Sequence, residues 1–148
     1  LRREKAIKFI PDYADRRDHI AIKESWAKGG KALAIPVRTD EQRAVLDRAH
    51  RLTDKGSLIS SAKNYRQQLH VYEAETSRTG LSKMHGLRHA YAQNRYKELT
   101  GWRPPAAGDS TVRAFTPEQR LIGQKARLTI SLEFGHERSQ IVAVYCEA

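Results

Sequence analysis

Apolar positions recur at helical spacing along most of the chain and alternate in one place. Residues 2–9 read as a helix, with Ala6, Ile7 and Phe9 apolar and Pro11 stopping it. From His19 to Trp26 the pattern alternates: Ile20, Ile22 and Trp26 lie on a different side from Lys23 and Ser25, with a slip at Glu24 and Ala27. "KGGK" at 28–31 is a tight-turn signal, and "ALAIPV" follows as the return strand. Thr39 with Gln42 makes a capping-box pattern, predicting a helix to about Leu52 with Val45 and Leu46 inward. "TDKG" is a turn. A long helix is expected over 61–78, with Tyr65, Leu69 and Tyr72 on one face and Gly80 ending it. The next is expected from about Met84 to Leu99, stopping at Gly101. "GWRPPAAGDS" has loop composition. "TPEQ" at 116–119 opens a further helix, which should run to Phe134 with Gly135 as its cap. A last helix carries Ile141, Val142 and Tyr145. The expected fold class is α+β and mainly helical: a helical bundle with one small antiparallel β-hairpin.

The 148 residues suit one domain, 1–148, that can bury a core without staples. Lys and Arg number 27 against 17 Asp and Glu, and the isoelectric point is near 10.0. So basic a chain points first to nucleic acid and second to an anionic membrane surface. The single cysteine, Cys146, excludes an internal disulfide framework and an all-cysteine zinc site. It fits a reducing cytoplasm, which is the expected location. No apolar run approaches the ~18 residues that a membrane span needs. No signal-peptide pattern opens the sequence. The start at Leu1, with Met84 as the only methionine, reads as a fragment or excised domain.

"HGLRHA" at 85–90 places His85, Arg88 and His89 on one helical turn. His85 and His89 have the spacing of a metal pair. No Glu follows His85 in the metalloprotease pattern, however, and no other ligand cluster accompanies them, so no metal and no cofactor are expected. "GHERSQIVAVY" at 135–145 sets Tyr145 nine positions after His136. A tyrosine in such a place is ordinarily core, so its role depends on what surrounds it.

"LRREKAIKF", "KGGK", "HGLRHA" and "LEFGHERSQIVAVY" occur in this order. The ordered set resembles the catalytic domain of the tyrosine recombinases, the phage-integrase family. That family carries an arginine in a G-L-R-type segment, a lysine on a β-hairpin, H-x-x-R on a helix, then G-[HW] with the nucleophilic tyrosine nine residues on. The corresponding positions are Arg2, Lys28, His85 with Arg88, His136 and Tyr145. Lys31, across the turn, is the rival to Lys28. The resemblance spans the chain except 102–119, an expected insertion, and is nearest to integrases of bacterial mobile elements. The family's acidic residue three positions after its first arginine is Lys5 here, with Glu4 one earlier.

The resemblance implies a tyrosine recombinase catalytic-domain fold whose N-terminal DNA-clamping domain is absent. It implies site-specific recombination or integration of double-stranded DNA, self-association on DNA, and nucleoid association when bound. The chemistry would run through a 3′-phosphotyrosyl intermediate, which conserves bond energy because a 5′-hydroxyl can reverse it. A phenol of pKa ~10 is only about 0.1% ionised at neutral pH, a handicap of roughly 4 kcal/mol, so a base or nearby positive charge must help. His85 would be that acid/base. Arg2 and Arg88 would stabilise the nonbridging oxygens with forked hydrogen bonds, and His136 would add another. Lys28 would protonate the leaving 5′-oxygen. Such a site needs no metal. The alternatives are type IB topoisomerase-like DNA relaxation with the same residues, and a DNA-binding fragment without catalysis.

Overall fold

The computed structural model describes residues 1–26, 32–53, 55–82, 84–108, 115–136 and 145–146. These residues are mainly helical, with one two-stranded antiparallel sheet. The chain divides into two compact units, 1–82 and 83–148.

The first unit opens with two short helices, α1 (Arg3–Ile7) and α2 (Pro11–Ala14). Pro11 does not stop α1, which has already ended at Ile7. It takes the first position of α2 instead, where its missing N–H is no loss and its fixed φ suits a helix start. Strands β1 (His19–Ile22) and β2 (Leu33–Pro36) pair with His19 opposite Pro36 and Ile22 opposite Leu33. The first strand is shorter than the alternation to Trp26 suggested, because Glu24–Trp26 turn into a single 3-10 turn where the alternation slips. The hairpin tip, residues 27–31, lies outside the described residues.

Helix α3 (Asp40–Leu52) begins at Thr39, whose hydroxyl accepts the Gln42 N–H at 3.2 Å. The Gln42 side chain accepts from the N–H of Arg38, one residue further back than a capping box requires. Leu46 and Ala49 are buried, whereas Val45 is 64% exposed and not inward as expected. Neighbouring helical residues diverge by about 100°, so only one of the pair can point at Phe9 and Ala14, the residues that share this core with Leu46.

Helix α4 (Tyr65–Arg78) starts later than residue 61 because Asn64 caps it. Asn64 accepts the Gln67 N–H and Gln67 returns the bond to the Asn64 N–H, each at 2.9 Å. Arg3 and Glu73 join α1 to α4 at 3.0 Å.

The second unit is built on α5 (Gly86–Thr100) and α6 (Pro117–Glu133). Gly101, at φ +87°, ends α5 in a left-handed conformation that costs glycine little. Thr116, Pro117 and Gln119 start α6 with a complete capping box. Ala92 and Tyr96 from α5 pack on Ala126 and Ile130 from α6, and Tyr145 with Cys146 completes that core. Gly123 permits the close approach: a Cβ there would lie 2.5 Å from the Tyr96 hydroxyl. Within the expected insertion, Pro105–Ala107 form a 3-10 turn, Pro104 and Pro105 are buried, and Phe115 meets Trp102 with ring centroids 5.8 Å apart. Residues 109–114 lie outside the described set. No helix among the described residues is long and apolar enough to cross a membrane.

Candidate active site

The second unit brings Tyr145, His85 and Arg88 into one neighbourhood. His85 stands immediately before α5, without a capping side-chain bond, and is exposed. Arg88 follows in the first turn and is half-buried. Helical geometry puts residues three and four apart on one face, so His85, Arg88 and His89 project together. Tyr145 is only 8% exposed and belongs to the core of this unit, yet its hydroxyl reaches Nε2 of His85 at 3.4 Å. That distance is long for a hydrogen bond. Catalytic contacts of this kind often tighten only when substrate arrives. With the imidazole proton on Nδ1, the tyrosine O–H can donate to Nε2, the direction a general base requires.

Arg88 stacks its guanidinium over the Phe134 ring, 4.0 Å from the centroid, and Phe134 in turn meets Tyr145 edge-on at 5.4 Å. One phenyl ring therefore touches both the arginine and the tyrosine. Nε and Nη2 of Arg88 are buried and have no hydrogen-bond partner among the described residues. A guanidinium held by its face and left with free donors is a ready anion ligand, because an unsatisfied buried donor gains more than a solvated one when an acceptor arrives.

The turn after α6 is fixed by its own backbone. The His136 N–H donates to the Ser131 carbonyl at 2.8 Å, the Ser131 hydroxyl donates to the His136 carbonyl at 3.2 Å, and Gly135 turns the chain at φ +79°. His136 is thus anchored two residues beyond Phe134, which follows the end of α6.

The other expected residues divide between the first unit and the undescribed segments. Arg2 is exposed at the start of α1 in the first unit. Lys28 and its rival Lys31 lie outside the described residues. Glu4, the acidic neighbour considered for Arg2, receives a hydrogen bond from the Lys8 ammonium at 2.6 Å, which holds its carboxyl below the usual range. Lys5 is half-buried in the last turn of α1.

Three residues of this neighbourhood were not singled out by sequence for the site. The His89 ring lies 4.5 Å from the Tyr145 ring, closer than that of His85 at 6.1 Å. Its position four after His85 was the available signal. Phe134 could have been suspected only as the residue before the Gly-His pair. Glu133 is buried and bonds to Arg95 and Tyr91 of α5, a contact across 38 and 42 positions that no local pattern announces. Among the described residues no three His, Cys, Asp or Glu side chains converge as metal ligands. No family model matches the chain, and neither a curated protein nor a solved structure matches it.

Proposed function

We propose that the chain is the catalytic part of a tyrosine recombinase, which cleaves and rejoins double-stranded DNA through Tyr145. The observation that carries this reading is the Tyr145 hydroxyl 3.4 Å from His85 Nε2, with the unpartnered donors of Arg88 one ring away. A tyrosine that served only as core would need neither an imidazole at its hydroxyl nor an arginine with idle donors beside it. The ordered motifs around Arg2, Lys28, His85–Arg88 and His136–Tyr145 support the same reading.

In this mechanism His85 takes the phenol proton as the Tyr145 oxygen attacks the scissile phosphorus. The bond to the 5′-oxygen breaks, and that oxygen leaves as a hydroxyl after protonation by Lys28. Arg88, Arg2 and His136 stabilise the charge gathering on the nonbridging oxygens. A 5′-hydroxyl from another strand reverses the sequence and restores the free tyrosine. The net charge of +10 supplies sequence-independent affinity for phosphates, so binding should weaken steeply with salt. Several copies acting on paired sites would complete strand exchange in the bacterial cytoplasm.

The test is covalent trapping on a pool of nicked duplexes with a randomised core, from which the cleaved fragment diffuses away. A denaturant-resistant adduct that disappears in Tyr145→Phe is expected. His85→Ala should slow its formation by roughly 10²–10⁴-fold. Salt-sensitive binding to the pool with no adduct at any pH would overturn the reading in favour of a binding module.

A further inference from the structure

We infer that His89 is a positioning residue for the Tyr145 nucleophile, holding its ring while His85 handles its proton. The inference rests on the reading of Tyr145 given above. The Tyr145 ring is in contact with two others: His89 meets it at 4.5 Å and 62°, and Phe134 at 5.4 Å and 81°. Both are edge-to-face arrangements, the geometry that aromatic quadrupoles favour. His85 lies further from the ring, at 6.1 Å, but its Nε2 is the group at the hydroxyl. The two histidines stand one turn apart on α5 and touch each other edge-on at 5.7 Å.

Exposure separates their tasks. His85 is exposed and can exchange protons with substrate or solvent, whereas His89 is half-buried against the ring. The phenol oxygen lies on the χ2 axis and is moved by χ1 and the backbone, so a side chain free to swing about χ1 would spend little time with that oxygen in line. Packing the ring against His89 and Phe134 restricts that freedom before substrate arrives. Orientation of this kind is a recognised source of rate, and small misplacements are costly.

The experiment compares His89→Phe and His89→Ala in the full chain, using adduct formation on the nicked-duplex pool at saturating and subsaturating DNA. Positioning by the ring predicts that His89→Phe keeps the saturated rate within about threefold, while His89→Ala loses at least about tenfold at unchanged affinity. An alanine variant at the wild-type rate overturns the inference. So does a loss in His89→Phe as deep as in His89→Ala, which would place a ring nitrogen in the chemistry. A loss carried wholly by affinity or by failure to fold also overturns it. A second readout needs no DNA: ring-carbon NMR of the tyrosine-labelled chain, with Tyr145 assigned by its loss in Tyr145→Phe. The ring-current shift of Tyr145 should survive in His89→Phe and collapse in His89→Ala; a shift unchanged in both overturns the clamp. If the wild type forms no adduct the proposed function fails, while the NMR comparison still decides whether His89 holds the ring.

Discussion

Arg95 of α5 and Glu133 of α6 form a buried ion pair in which Nη2 and Nε approach the same carboxylate oxygen, at 3.0 and 3.1 Å. The other oxygen of Glu133 accepts from the Tyr91 hydroxyl at 2.7 Å. Both pair partners are largely shielded, with side chains 15% and 7% exposed. The next residue, Phe134, carries the contacts to Arg88 and Tyr145, so this pair fixes the end of α6 at the place where the candidate site begins. Removing Glu133 leaves the shielded Arg95 with its more exposed pairing to Glu98, at 3.1 Å. Glu133→Ala should therefore destabilise the second unit by about 1.5–3 kcal/mol, the range for a lost charge-assisted hydrogen bond, and the double change Arg95→Met with Glu133→Leu by less. Denaturant unfolding read by Trp102 fluorescence, in a Trp26→Phe background, measures both. A small loss in Glu133→Ala would show that the pair is not what holds α6.

Gly123 tests the packing of the same two helices. Alanine is ordinarily better than glycine inside a helix by about 1 kcal/mol. Here the added methyl would fall 2.5 Å from the hydroxyl of Tyr96, a ring that is itself 1% exposed. Overpacking of this kind costs about 1–3 kcal/mol, so Gly123→Ala should be net destabilising despite the gain in propensity. Combining it with Tyr96→Phe removes the obstructing oxygen and should recover part of the loss. The same fluorescence titration reads the cycle, and stabilisation by the single change would refute the close approach.

What the sequence made legible was local. Thr116, Pro117 and Gln119 announce the start of α6 because a cap is a bond between a side chain and a backbone group three residues away. Gly101 announces the end of α5 because few other residues tolerate its φ. The hairpin follows from alternation interrupted by a glycine pair. Facing was legible only in part: Val45 and Leu46 are both apolar, and the choice between them depends on where Phe9 and Ala14 lie, which no helix period encodes. The candidate site divides in the same way. The H-x-x-R turn could be placed on α5 from spacing, but the contact of His89 with Tyr145 joins residues 56 positions apart, as 145 minus 89 gives. Glu133 attracted no notice for the same reason. Its partners Arg95 and Tyr91 come from another helix, and burial of a glutamate is the outcome least expected from its type.

The first unit has an electrostatic centre of its own, with a pH dependence of known sign. Asp15, whose side chain is 7% exposed, is paired with Arg43 and also accepts from the Arg17 N–H at 2.9 Å. His50 places Nε2 3.0 Å from the same carboxylate and Nδ1 3.1 Å from Asp12. The Arg43 guanidinium, helped by the Arg17 amide and His50, holds the Asp15 carboxyl well below the usual carboxylate range. A carboxyl depressed in the folded state contributes stability that is fully present above the unfolded value, near pH 4, and is lost as pH falls towards the folded value. The first unit should therefore weaken progressively below about pH 5, and Asp15→Asn should flatten that slope while costing about 2–3 kcal/mol at pH 7. Urea unfolding at several pH values, followed by Trp26 fluorescence in a Trp102→Phe background, gives the comparison. Parallel pH profiles for the two chains would remove Asp15 from the explanation.

Arg88 separates function from stability. Its Nε and Nη2 are buried without a hydrogen-bond partner among the described residues, and the stack on Phe134 offsets part of that state. Buried donors kept idle are a standing destabilisation, and replacing a poorly satisfied buried charge with a hydrophobe of similar reach is often neutral or stabilising. In the absence of DNA, Arg88→Met should therefore leave the second unit unchanged within about 1 kcal/mol or raise its stability. If the idle donors await a phosphate, the same variant should form the covalent adduct at least about 10²-fold more slowly, as expected for a lost transition-state donor. Arg88→Lys should not rescue it, because an ammonium keeps the charge but loses the planar fork. A site under functional constraint shows this opposition, with activity lost while the fold keeps or gains stability. A drop in stability that accounts for the whole loss of adduct would instead make Arg88 a structural residue, and the phosphate-binding reading would lose its strongest observation.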